Sequence, residues 1–144
     1  MEPGAELALT SGVYEQMLAH VLRSRPREAV GLLGGSAAGE VSRVVPLDNI
    51  AAGDRAFLAD PFSQYDALRR LREDQLELLA IYHSHPDGGV DPSADDLAYA
   101  RRWRCAHVVI AIGAGRASTP RVRAFRCAEH GSVVDVEVRI REQH

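Results

Sequence analysis

Residues 76–100 read LELLAIYHSHPDGGVDPSADDLAYA, and the way this stretch folds decides what surrounds it. The apolar run LELLAIY predicts a buried strand that leads straight into His83 and His85. Pro86 to Pro92, with Gly88 and Gly89 between them, predict a turn, and ADDLAYARRW predicts a helix after it. Strand residues i and i+2 point to the same side, so His83 and His85 can converge on one point.

Zinc chemistry needs a third protein ligand and an open fourth position. A helix starting near Ser93 puts Asp96 in its first turn, where the Gly88-Gly89 turn can fold it back toward the strand end. Ser93-Ala94-Asp95-Asp96 also fits a capping box in its Asp form, with Ser93 capping and Asp96 reaching back. Spacing leaves Asp87, Asp91 and Asp95 open as ligands beside Asp96, and leaves both the cap and the metal site open.

Working outward, Val13, Met17, Leu18, Val21 and Leu22 recur at helical spacing and predict a first helix ending near Pro26. AVGLLGG, a Ser-Ala-Ala-Gly turn and EVSRVVPL predict a two-strand hairpin over 29–47, with Gly34-Gly35 also read as part of the turn rather than an anion cradle, since no P-loop Lys follows. Asp60 as N-cap and Pro61 at the first helical position open a second helix, with Phe62, Tyr65, Leu68 and Leu71 as its apolar stripe. AHVVIAI, RVRAFRC and VVDVEVRI predict closing strands, with GAGRASTP as a Gly-rich loop; Val134, Val136, Val138 and Ile140 share one face of the last strand. Helices mixed with a mostly antiparallel sheet make an α/β (α+β) layered domain.

The 144 residues, 46% hydrophobic, suit one domain spanning 1–144. No apolar run approaches a membrane span and MEPGAELALTSG lacks the order of a secretory signal, so a soluble, cytoplasmic chain with no membrane partner is expected. A net charge of −3, with the arginines interleaved with acids, argues against a nucleic-acid partner. All 17 basic residues are Arg, which removes lysine Schiff-base chemistry. Cys105 and Cys127 form no CxxC pair and read as small apolar residues near strands. His20, His107, His130 and His144 read as structural or solvated, and Trp103 as packing for the third helix.

A hydrolytic metal site also needs a base that is not a ligand, and Glu28 in PREAVGLLGG, at the start of the first hairpin strand, is the upstream candidate. Together, Glu28 and the His83, His85, Pro86, Ser93, Asp96 block resemble the JAMM metalloprotease motif, also called MPN+ or JAB: an upstream Glu, then His-x-His-Pro, six residues, Ser, two residues, Asp. The resemblance extends over nearly the whole chain, including an N-terminal strand, the LDN at 47–49 and the FLADP segment, and is nearest the small stand-alone bacterial members.

That resemblance implies a curved mixed, mostly antiparallel β-sheet packed between helices, MPN/JAB1-like, with layering similar to that of cytidine deaminases. It implies one Zn²⁺ per chain held by His83, His85 and Asp96, Glu28 as the base, and Ser93 holding water or stabilising the oxyanion. The reaction implied is hydrolysis of a peptide or isopeptide bond at the Gly-Gly tail of a ubiquitin-like or sulfur-carrier protein. A catalytically inactive MPN-type scaffold module is the alternative. A zinc deaminase would need His-x-Glu and Pro-Cys-x-x-Cys, which this sequence lacks, and a two-metal phosphoesterase would need more ligands. The oligomeric state is not legible.

Overall fold

The computed structural model of the chain describes residues 6–54, 56–113 and 119–142. In chain order the elements are β1 (Glu6–Thr10), α1 (Ser11–Ser24), β2 (Val30–Gly35), β3 (Glu40–Leu47), α2 (Pro61–Glu73), β4 (Glu77–His85), α3 (Ala94–Ala100), β5 (Ala106–Ala111), β6 (Arg121–Cys127) and β7 (Val133–Arg141). Most of the GAGRASTP loop, residues 114–118, and His144 lie outside the described residues. No helix among the described residues is long and apolar enough to cross a membrane.

The strands close into a barrel in the order β1-β3-β2-β4-β5-β6-β7. The sheet is mixed, as expected, but it closes on itself as a barrel, which the expected curved sheet packed between helices does not describe. Closure comes from β1, which runs parallel to β7 from Glu6↔Glu137 to Thr10↔Arg141 and parallel to β3 at Ala8↔Glu40 and Leu9↔Val41. Leu7 and Leu9 are buried, and each contributes roughly 1.5–3 kcal/mol by leaving water.

Alternation along the strands sorts side chains into two main cores. Val13, Met17 and Val21 of α1 pack with Leu7, Leu9, Leu33, Tyr82, Val108 and Ile110. Ala67 and Leu71 of α2 pack with Val30, Leu32 and Ile81, and a smaller cluster joins Ala100 to Val109 and Phe125. Gly31 is required where the two layers meet, because a Cβ there would overlap the Tyr82 ring.

Four local readings change. Phe62 and Tyr65 are 85% and 72% exposed, so they are not part of the buried face of α2. Steps of three residues turn only 300°, so a series from 62 to 71 drifts half-way round a helix; the buried face is Ala67 and Leu71, with Leu68 beside it. Gly34 and Gly35 lie inside β2, while the hairpin turns at the expected Ser-Ala-Ala-Gly segment, Ser36–Gly39, where Gly39 has φ +86° and its N–H donates to the Ser36 carbonyl. Helix α3 stops at Ala100 instead of running through Trp103, because Arg102 and Trp103 donate to Tyr99 and Ala100, three residues back, and tighten the chain out of α geometry. On β7 only Val136 is buried in the expected face, with Val138 half-buried and Val134 and Ile140 exposed.

Candidate metal centre

Strand β4 delivers His83 and His85 to one side of its C-terminal end, while Ser84 points the other way and is buried. Antiparallel pairing sets Val30 opposite His83, and continuing it outward brings Ala29 beside Ser84 and Glu28 beside His85. Two bonds fix that extension: the Ala29 N–H donates to Ser84 Oγ at 2.8 Å, and the Ser84 N–H donates to the Ala29 carbonyl at 3.1 Å. Asn49 secures the segment from behind. Its Nδ2 donates to the Glu28 carbonyl at 2.8 Å and to the Ala56 carbonyl at 3.1 Å, and its Oδ1 accepts from Ala51 and Leu58 N–H, both at 3.0 Å.

Helix α3 supplies the third donor. Ser93 Oγ accepts from the Asp96 N–H at 3.1 Å, and the Ser93 N–H donates to Asp96 Oδ2 at 2.9 Å, a complete capping box. The same Oδ2 stands 3.1 Å from His83 Nε2 and 3.0 Å from His85 Nε2. The cap and the histidine cluster therefore share one carboxylate oxygen and are not alternatives. Ser93 Oγ serves the cap as an acceptor, which leaves its hydroxyl hydrogen for another partner.

The two imidazole Nε2 atoms are 3.2 Å apart, so the three donor atoms form a triangle with edges of 3.0–3.2 Å. Tetrahedral coordination with bonds of about 2.0–2.1 Å needs ligand–ligand edges of about 3.3 Å, and the triangle matches such a face to within a few tenths of an ångström. His85 Nδ1 lies 2.7 Å from the Gly89 carbonyl. A carbonyl only accepts, so Nδ1 carries hydrogen and the neutral ring turns an Nε2 lone pair toward the cluster. Phe57 stacks on His83 with centroids 4.5 Å apart and planes at 24°, fixing that ring. Three lone-pair atoms this close repel one another unless a proton or a cation lies between them.

Glu28, His83, His85 and Asp96 each offer a donor atom within 4.8 Å of the others. Burial pushes the Glu28 carboxyl up to about 7; His85 opposes that rise, and Asp96 and Asp87 add to it. Its Oε1 is buried without a hydrogen-bond partner, which costs roughly 1–3 kcal/mol. Burial also works against ionisation of Asp96, but hydrogen bonds from His83 and His85 outweigh it and hold the carboxyl well below the usual range. Burial pushes the His83 imidazole down against the pull of Asp96, whereas the hydrogen bond to Asp96 pushes His85 up. A nitrogen, nitrogen, oxygen donor set with metal-like edges and an orphaned carboxylate beside it fits a divalent cation.

The structure thus brings Glu28, His83, His85 and Asp96 together and ties Ser93 to Asp96. It removes two of the aspartates left open by spacing: Asp91 is an exposed partner of Arg123 at 3.0 Å, and Asp95 is exposed. Asp87 is not part of the four-residue group. The parts not legible as site residues are Ser84, the Gly89 carbonyl, Asn49 and Phe57; the LDN and FLADP segments carried the last two. His20 bonds Tyr82 Oη through Nδ1 at 2.6 Å, and His107 is buried against Phe125, so neither joins the group.

A mixed α/β barrel with this cluster at the end of one strand is a JAB-type domain. The chain belongs to the family of prokaryotic homologs of the JAB domain, whose model matches residues 10–128. It is 44% identical over 127 residues to the probable TtuB-protein conjugate cleaving protease of Thermus thermophilus, covering 88% of this chain and 79% of that one. Against the CysO-cysteine peptidase of Mycobacterium tuberculosis the identity is 26% over 139 residues, covering 96% and 93%. The solution structure of a protein from Desulfitobacterium hafniense matches with TM-score 0.84 at 32% identity, covering 95% of this chain and 94% of that one. The first of these relatives is named a probable protease and the second a peptidase, so kinship supports a hydrolase.

Proposed function

We infer that the chain is a zinc-dependent metallopeptidase or isopeptidase that hydrolyses amide bonds at the C-terminal glycine tail of a ubiquitin-like or sulfur-carrier protein. The observation that carries this reading is the triangle of His83 Nε2, His85 Nε2 and Asp96 Oδ2 with the unpartnered Glu28 carboxyl beside it. The relatives named for TtuB-conjugate and CysO-cysteine cleavage support the substrate class. Bound by the three donors, one zinc ion per chain supplies Lewis acidity, polarising a carbonyl and lowering the pKa of water.

The chain's own groups handle protons and charge. Glu28 takes the proton of the attacking water and returns it to the departing amine, a task suited to a buried carboxyl with an unpartnered oxygen beside the donor triangle. The Ser93 hydroxyl hydrogen is directed to the developing oxyanion while Oγ goes on accepting from the Asp96 N–H. An extended glycine-rich tail suits strand addition. Among the described residues, strand β3 meets β1 only at Glu40 and Val41 and has no strand neighbour on that side beyond Ser42, and the chain continues past its end at Leu47 to Asn49, which bonds the Glu28 carbonyl.

The test combines metal content with turnover of a carrier protein bearing a C-terminal amide-linked amine. Glu28→Gln is expected to keep zinc and lose at least about a hundredfold in kcat, the usual scale of general-base catalysis. His85→Ala and Asp96→Ala are expected to lose zinc. Ser93→Ala is expected to keep zinc with reduced kcat. A wild-type protein that takes up no zinc would refute the reading and leave the inactive scaffold, whereas a fully active Glu28→Gln would refute Glu28 as the base.

A further inference from the structure

Away from the metal cluster, a pocket of about 450 Å³ opens between the segment after α3 and the end of β6. Arg101, Arg104 and Arg126 line it together with Trp103 and Glu129, and none of the four metal-cluster residues does. The volume lies in the range of small-molecule sites. Among the described residues, Arg23, Arg25, Arg72, Arg102 and Arg121 also show no ion pair, but none of them lines this pocket; what sets Arg101, Arg104 and Arg126 apart is that three arginines without a neutralising partner surround one concavity. Elsewhere, Arg43, Arg69, Arg70, Arg123, Arg139 and Arg141 each sit within 4 Å of a carboxylate. Among the described residues, Arg101, Arg104 and Arg126 make neither an ion pair nor a side-chain hydrogen bond, and Arg126 Nε is buried with no acceptor.

Three guanidiniums around one concavity carry a charge of about +3 at any physiological pH, because arginine does not deprotonate there. Solvated arginines on a convex surface need no partner, but crowding three along one pocket raises their mutual repulsion, and Glu129 offsets only one charge. A carboxylate presents two oxygens and one charge. A phosphate or diphosphate presents more oxygens and more charge, and it accepts planar pairs of N–H donors from several arginines at once. Trp103 supplies a flat apolar wall beside them.

We propose that the pocket lined by Arg101, Arg104, Arg126 and Trp103 binds a phosphate-bearing small molecule of about nucleotide size. The phosphates engage the guanidiniums and any ring lies against the indole. This site is separate from the peptidase reading, because its binding is measured without metal or carrier protein.

Trp103 is the chain's single tryptophan, so its fluorescence reports on the pocket, and calorimetry on the same samples detects binding that leaves the fluorescence unchanged. ADP, pyrophosphate, adenosine and citrate are titrated at low ionic strength. Saturable binding of ADP and pyrophosphate is expected, with adenosine and citrate at least about tenfold weaker. Arg104→Gln and Arg126→Gln are each expected to weaken ADP about tenfold, the loss of one charge-assisted contact. Arg69→Gln, which alters an arginine already paired on α2, is expected to leave ADP binding unchanged. Thermal melts identify any variant that fails to fold, and Arg101→Gln, at an exposed position after α3, is the second probe. No saturable phosphate binding by either method, equal binding of citrate, or affinity indifferent to all three arginine changes would overturn the proposal.

Discussion

At the scale of the residue, Glu28 combines burial with an ionisable group that has no hydrogen-bonding partner for Oε1. Its carboxyl sits near 7 when folded and near the ordinary 4.5 when unfolded. A folded pKa above the unfolded one means that its stabilising contribution is full below about 4.5 and is lost as pH rises through about 7. Metal-free Glu28→Gln should therefore melt several degrees higher than the metal-free parent at pH 8, with the difference much smaller at pH 5; paired thermal melts at the two pH values check this. The same residue shows what sequence could and could not give. Its type and its position before a strand were legible, whereas its adjacency to His85 depends on a register two residues beyond the last ladder pair. Asp96 was likewise one of four aspartates on spacing, and only burial and the shared oxygen separate it from exposed Asp91 and Asp95.

At the scale of the element, the boundaries of β2, β3, β6 and the first two helices follow from local pattern, because caps and apolar periodicity are local. Thr10 caps α1 through Val13 N–H and Asp60 caps α2 through Phe62 N–H. The buried face of α2 was misread because threefold spacing resembles a stripe over two steps and departs from one over three. Gly31 is a tertiary requirement that no local pattern reveals: Tyr82 occupies the space of its missing side chain, held there by the His20 bond. Gly31→Ala is expected to cost roughly 1–3 kcal/mol by overpacking, measurable by urea denaturation, with Gly53→Ala as an informative contrast. Gly53 has open space around it, so its cost comes only from φ +88°.

At the scale of the whole molecule, barrel closure was the feature least legible in advance. β1 pairs with strands that begin some 30 and some 130 residues later, both in parallel, and no local period encodes such partners. Both pairings meet on Ala8 and Leu9; Leu9, the larger side chain, stands opposite Val41 and Ile140 and is 1% exposed. Leu9→Ala is expected to lower stability by roughly 2–5 kcal/mol in equilibrium unfolding, as for a buried leucine whose cavity cannot collapse. Loss of less than about 1 kcal/mol would mean that β1 contributes little to the closed barrel.

The proposed ligand triangle is drawn entirely from one continuous stretch, β4 through the start of α3, whereas the proposed base comes from the segment ahead of β2, latched on by Ser84 and Asn49. On the proposed function, capturing an ion and being able to use it are therefore separate accomplishments of the chain. A population folded correctly from residue 77 to 100 but frayed ahead of β2 would score as fully loaded in a metal assay and as dead in a turnover assay. Metal stoichiometry is thus a poor certificate of competence for this protein, and the Ala29–Ser84 hydrogen bonds are the sharper one.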